Sequence, residues 1–146
     1  MKSFIVVILA LFVSGCTSLP EHAVDQVKSV VLAKTTSSWD GAYLPAYPEG
    51  QPEITILKIT VPPGVRLPLH YHPVINAGVM TAGELTVVTE KGQTNRLVAG
   101  DAIVEVVETL HYGMNEGRVP AEILVFYAGV KDGNITVINQ SGDSYD

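Results

Sequence analysis

Only one cysteine, Cys16, occurs in the 146 residues, so no intramolecular disulfide can form and the fold must be held by its core. Charge is also scarce, at 16% of residues, and basic charge scarcer still: nine Lys and Arg against fifteen Asp and Glu, for a net charge of -6. Lys58, Arg66, Lys91, Arg96, Arg118 and Lys131 are scattered along the chain. Nucleic acids and anionic lipid surfaces need clustered cations, so neither is an expected partner. No stretch beyond the first twenty residues keeps a helical period for three turns, which argues against a helical bundle. What is abundant is apolar surface, 47% of residues, which excludes a disordered chain; the length suits one domain with one modest core.

Part of that apolar share sits at the front. Lys2 supplies a positive start, Phe4 to Val13 are ten unbroken apolar residues, and Ser14 and Gly15 are small. A membrane-crossing helix needs about 20 apolar residues, so this run reads as a secretory signal over residues 1–15. Val13-Ser14-Gly15-Cys16 resembles the lipobox of bacterial lipoproteins. The resemblance implies diacylglyceryl modification of the Cys16 thiol, cleavage before it, and membrane attachment by acyl chains that hold stably when two or more are present. With Thr17 after the cysteine, it further implies export to the cell envelope and sorting to the outer membrane, facing the periplasm. Loss of residues 1–15 removes only Lys2 among the charged residues and leaves a net charge of -7. Residues 16–26 are short, polar and Pro-containing, as a tether would be, and His22 reads as an exposed tether residue.

The expected domain covers residues 27–146. Val27 to Ala33 is β-branched and reads as a first strand; Trp39, Tyr43, Pro45, Tyr47, Pro48 and Pro52 then form a segment no helix would accept, read as an ordered flap whose aromatics pack over a barrel end or line a ligand mouth. Short strand signals follow: 54–61, 65–69, 78–80, 84–90, 95–98, 102–107, 121–130 and 135–138, with Gly- and Pro-bearing turns between several of them. In the first, Ile54 and Ile56 oppose Thr55, Lys58 and Thr60, with Leu57 breaking strict alternation. Val79, Val87, Val104, Val106, Leu124 and Phe126 are the expected core. Many short strands and no long helix predict an all-β fold, a sandwich or barrel and in particular a double-sheet jelly roll.

Three of the four histidines lie in this strand region. Residues i and i+2 of a strand share a face, so His70 and His72 would send both imidazoles into one interior about 7 Å apart along the chain. A third imidazole from a distant strand, His111, would complete a facial set. Imidazole nitrogen suits divalent transition metals such as zinc, iron, nickel, manganese or copper, and three such ligands leave positions open for water or substrate. Tyr71 alternates away from the pair and is expected outside the cavity; Tyr112, Met114 and Asn115 either line the pocket or close the turn.

These residues resemble the two motifs of the cupin family. Gly64, His70, His72, position 76 and Gly83 stand at the spacings of the first; Gly100, His111 and Asn115 stand at those of the second. The resemblance implies a single cupin double-stranded β-helix with motifs over 64–83 and 100–115, and His70, His72 and His111 as metal ligands. Three family positions differ. The family Glu is Asn76, a candidate fourth ligand with a neutral and weaker amide; the family Pro is Val106 and the family Gly is Glu108, a change that implies a different turn before His111. Glu84, Glu105 and Glu108 are the acidic residues that could restore a carboxylate, and spacing brings none of them into the site.

Three neutral imidazoles on a divalent ion leave about +2, which favours a small anionic ligand or substrate. The arrangement resembles three-His cupin dioxygenases. Two functional classes follow: a metal-dependent, dioxygenase-like enzyme, or a non-enzymatic protein that binds or senses a small molecule or metal at the envelope. The Val-rich strands also suit a homodimer paired through sheet edges.

Overall fold

A computed structural model describes residues 27–139. Its nine strands are β1 Pro52–Val61, β2 His70–Tyr71, β3 Ile75–Ala82, β4 Glu84–Thr89, β5 Thr94–Val98, β6 Ala102–Val104, β7 His111–Met114, β8 Ala121–Val130 and β9 Val137–Ile138. Their pairings, all antiparallel, build a four-stranded sheet in the order β1-β8-β3-β6 and a five-stranded sheet in the order β5-β4-β7-β2-β9. Sequence neighbours repeatedly cross between sheets, as a jelly roll requires. Among the described residues there is no helix, and hence none long and apolar enough to cross a membrane. Cys16, His22 and the expected leader and tether lie outside the described residues.

The core lies between the sheets. Val61, Met80, Ile123, Val125 and Tyr127 of the first sheet meet Leu85, Val87 and Leu97 of the second. Most of the strands expected from sequence form, and β8 spans the expected residues. The phase of several differs. On β8 the inward residues are Ile123, Val125 and Tyr127, so Leu124 is only half-buried and Phe126 is 44% exposed. On β3 the buried residues are Asn76, Gly78 and Met80, so Val79 is half-buried, and Val104 on β6 likewise. Val87 and Val106 are in place. In β1, Ile59 and Val61 turn inward while Ile54 and Ile56 are exposed. A nearly continuous apolar run fits either phase, and a one-residue shift exchanges the two faces.

Other expectations need correction. Val27 to Ala33 forms no strand, and Val27, Val30 and Val31 are strongly exposed: among the described residues the segment has no partner strand to supply the hydrogen bonds its β-branched residues suit. Val65 to Leu69 is not a strand but a loop holding one bridge, Arg66 to Met114, and pairing begins at His70. The flap is ordered: Ser37 bridges Tyr43, and the Trp39 N–H donates to the Val104 carbonyl (3.0 Å), which seats the Trp39 ring against the core. Tyr43 and Tyr47 stay exposed.

Candidate metal centre

His70 is on β2 and His111 on β7, and the two are direct partners in the five-stranded sheet. Opposed residues of an antiparallel pair share a face, and their rings lie 4.5 Å apart. His72 follows β2 directly; its ring is 5.0 Å from each of the others. One ring nitrogen of each histidine lies within 4.8 Å of those of the other two. The structure therefore brings together the three histidines read from the sequence, although the regular strand ends at Tyr71.

The hydrogen bonds settle which nitrogens are free. Each Nδ1 donates to a backbone carbonyl: His70 to Pro68 (2.7 Å), His72 to Ile135 (2.8 Å) and His111 to Thr109 (2.8 Å). A carbonyl can only accept, so Nδ1 carries the proton and each Nε2 of the neutral ring presents a lone pair. Burial lowers the pKa of all three, for His72 to about 4, because a charged imidazolium is poorly solvated there. The rings are held neutral and metal-ready before any ion arrives.

Two more polar side chains face the same interior. Asn76 on β3 is almost wholly buried, and neither its amide nitrogen nor its amide oxygen meets a hydrogen-bond partner among the described residues. Glu105, just past β6, places Oε2 3.8 Å from His111 Nε2, and that oxygen is likewise buried and without a hydrogen bond. Burial lifts the Glu105 pKa to about 7, against the lowering influence of His70 and then of the Trp39 indole N–H. Indole and carboxyl stand close without completing a hydrogen bond of good geometry. Buried polar groups left unpaired are rare, and here three side chains, Trp39, Asn76 and Glu105, carry them beside three bare imidazole nitrogens. The residues present fit a divalent transition metal.

Tyr127, which sequence reading passed over, packs its ring 5.4 Å from His72. A cavity of about 50 Å³ lies between His70, Glu105, His111, Tyr127 and the apolar core. Of the carboxylates weighed from sequence, only Glu105 enters. Glu84 stands near Gly117, and Glu108 lines an outer groove that also holds Tyr71. Glu108 sits in the turn before His111. Its backbone has φ 52°, the left-handed region a glycine enters freely, and its N–H donates to the His72 carbonyl (2.8 Å). A full side chain is accommodated there at a cost. Asn115 is structural: fully buried, it donates to the Val61 and Val119 carbonyls and accepts from the Gly117 N–H. Tyr112 lies outside the cluster under the Arg66 guanidinium, 3.6 Å from its ring centre.

Two facing antiparallel sheets with three inward histidines at one end define a jelly-roll protein with a candidate metal centre. Residues 57–127 match the family model for the cupin domain, and the two-sheet architecture is that of a cupin-like jelly roll. Among solved structures, an oxalate oxidase in complex with the substrate analogue glycolate is similar at 22% identity and TM-score 0.51, over 58% of this chain and 45% of that one. DMSP lyase DddQ from Ruegeria pomeroyi DSS-3 is similar at 23% identity and TM-score 0.54, over 62% of this chain and 45% of that one. An oxalate decarboxylase formate complex from Lactobacillus farciminis is similar at 23% identity and TM-score 0.51, over 58% of this chain and 26% of that one. These likenesses concern the fold, and the chain spans less than half the length of each of the three. No curated protein matches.

Proposed function

We propose that this protein is an exported, lipid-anchored cupin that holds a divalent transition metal on His70, His72 and His111 and uses it to bind or transform a small anionic molecule. One observation carries the metal: three neutral imidazoles whose Nδ1 protons are all committed to carbonyls, leaving three Nε2 lone pairs converging. A bound ion supplies Lewis acidity or, if it is redox-active, oxygen activation at its open face. The chain's own residues then orient and exclude. The carbonyls fix the rings, the apolar wall limits water, and a cavity of about 50 Å³ admits only a small head group, on the scale of a carboxylate. Cysteine lipidation at Cys16 would hold the domain at the outer membrane, facing the periplasm. The exposed Ile54, Ile56 and Phe126 on paired strands β1 and β8 suit a homodimer.

A second reading, binding or sensing without turnover, is favoured by the neutral amide of Asn76 at the position where the cupin motif has a glutamate. The test is elemental analysis of the full chain, purified in mild detergent without added metal, beside a variant with all three histidines changed to Ala. Near-stoichiometric first-row metal, lost in the variant, is the expected result; no metal even after reloading would overturn the proposal. Dioxygen uptake with simple diketones, thiols and phenolic acids separates the two readings, since tight ligand binding without turnover would select the second.

A further inference from the structure

Across the four-stranded sheet, Tyr127 of β8 is the register partner of Asn76, and the Glu105 N–H donates to the Asn76 carbonyl on the other side (3.1 Å). Continuing the β3–β6 register, in which Ala77 opposes Val104, puts Glu105 opposite Asn76. Residues opposed in this way share a face, so Tyr127, Asn76 and Glu105 form one row on the inner wall, facing the pair His70–His111 on the other sheet. The cupin motif has its glutamate at position 76. Here that position is a neutral amide, and the next position along the row is a buried glutamate.

We propose that Glu105, delivered from the end of β6, is the carboxylate ligand of this centre, replacing the one lost at Asn76, so that the ion is held by His70, His72, His111 and Glu105. The inference rests on the metal-binding reading above and deepens it. The geometry fits: donor atoms about 2.1 Å from one ion stand roughly 3.0–3.4 Å apart, and Glu105 Oε2 lies 3.8 Å from His111 Nε2, within reach of a small side-chain adjustment. Neither Asn76 amide atom nor Glu105 Oε2 has a hydrogen-bond partner among the described residues. A buried carboxylate with no cation beside it among the described residues is otherwise a costly arrangement; an ion would turn it into a ligand. Trp39 backs the carboxyl from the flap, so the flap belongs to the wall that orients it. The charge follows as well. Three imidazoles and one carboxylate leave about +1 on a divalent ion, enough to accept one anionic ligand at the open face.

The experiment compares cobalt(II) binding by the full chain, stripped with chelator, with that of Glu105→Gln and Glu105→Asp, reading affinity by competition with a chromophoric chelator and ligation by the visible spectrum. Glu105→Gln keeps shape and removes charge; Glu105→Asp keeps charge and withdraws it by one methylene. Both are expected to weaken cobalt by about tenfold or more and to change the spectrum, while metal-free melting shows each to be folded. Asn76→Glu added to Glu105→Gln is expected to recover part of the affinity by returning the carboxylate along the row. Affinity within twofold and an unchanged spectrum in both single variants would overturn the assignment of Glu105. Failure of the unaltered chain to bind cobalt would instead overturn the metal-binding reading itself.

Discussion

Glu108 is the residue at which the local chemistry is most plainly at odds with its backbone. It adopts φ 52° with a full side chain, while its N–H holds the carbonyl of His72. A non-glycine residue in this region gives up about 1 kcal/mol or slightly more, part of which glycine returns through its freer unfolded chain. Glu108→Gly is therefore expected to raise stability modestly, by roughly 0.5–1 kcal/mol, with metal content unchanged; urea unfolding and elemental analysis check the two halves. A second residue-scale expectation concerns pH. In the metal-free protein His72 titrates at about 4 against an ordinary 6.5. Between those values the unfolded chain carries a proton the folded chain lacks, so stability rises with pH, by up to about 1.4 kcal/mol per unit. Glu105 has the opposite sign. Its pKa is raised from 4.5 to about 7, so its contribution is complete below 4.5 and is lost as pH rises through 7. The two slopes oppose one another between pH 4.5 and 6.5. Removing the second by Glu105→Gln is expected to steepen the rise in stability over that window, measured as urea midpoints of chelator-stripped protein. Equal slopes in the two proteins would contradict the assigned burial of Glu105.

At the scale of elements, the two motifs work by pinning strand ends. Asn115 closes β7 onto β1 with one side chain that makes three hydrogen bonds, two of them donated to the carbonyls of Val61 and Val119. Asn115→Ala strands these partners, at least one of them in a buried setting, and is expected to lower stability by about 2–4 kcal/mol while leaving the metal stoichiometry intact in the folded fraction. Thermal melting with and without zinc reads both. Gly83 pins the turn from β3 to β4: its φ is +68°, and an added Cβ would stand 2.5 Å from the Pro120 carbonyl oxygen. Much of this was legible in the sequence, because the signals were local and chemical. Gly83 and Asn115 stood out through the resemblance to the cupin motifs, and His70, His72 and His111 through residue type and the shared face of positions i and i+2. Strand phase was not legible: in Ala121–Val130 apolar residues stand on both faces, and only pairing with β1 and β3 decides that Ile123, Val125 and Tyr127 turn inward. Glu105 was not legible either. Its place in the site comes from a lateral neighbour, Asn76, 29 residues earlier in the chain and adjacent only because β3 pairs with β6.

For the whole molecule, the question is how much of the chain the centre needs. The three histidines, Glu105, Asn76 and the carbonyls that orient the rings lie between Pro68 and Ile135, and the core beneath them extends from Trp39 to Ile135. The carbonyls come from loops tied into that core, as where the Asn139 N–H reaches the Leu69 carbonyl (2.9 Å) beside His70. The segment preceding Trp39 is highly exposed from Val27 to Ala33 and adds nothing to this core. An attachment at Cys16 would thus act on position in the envelope and not on the metal. Acyl chains contribute about 0.8 kcal/mol per buried methylene, so two or more make attachment effectively stable whereas none leaves an acidic domain with no affinity for anionic lipid. Cys16→Ser is accordingly expected to shift the protein from the membrane fraction of its host to the soluble or uncleaved precursor pool. Metal per chain and metal-free melting temperature should stay within error of the unaltered protein. Retention of the variant at the membrane as a cleaved chain, in unchanged amount, would remove the lipid-anchor reading, and loss of metal would mean that the leader and tether take part in the site.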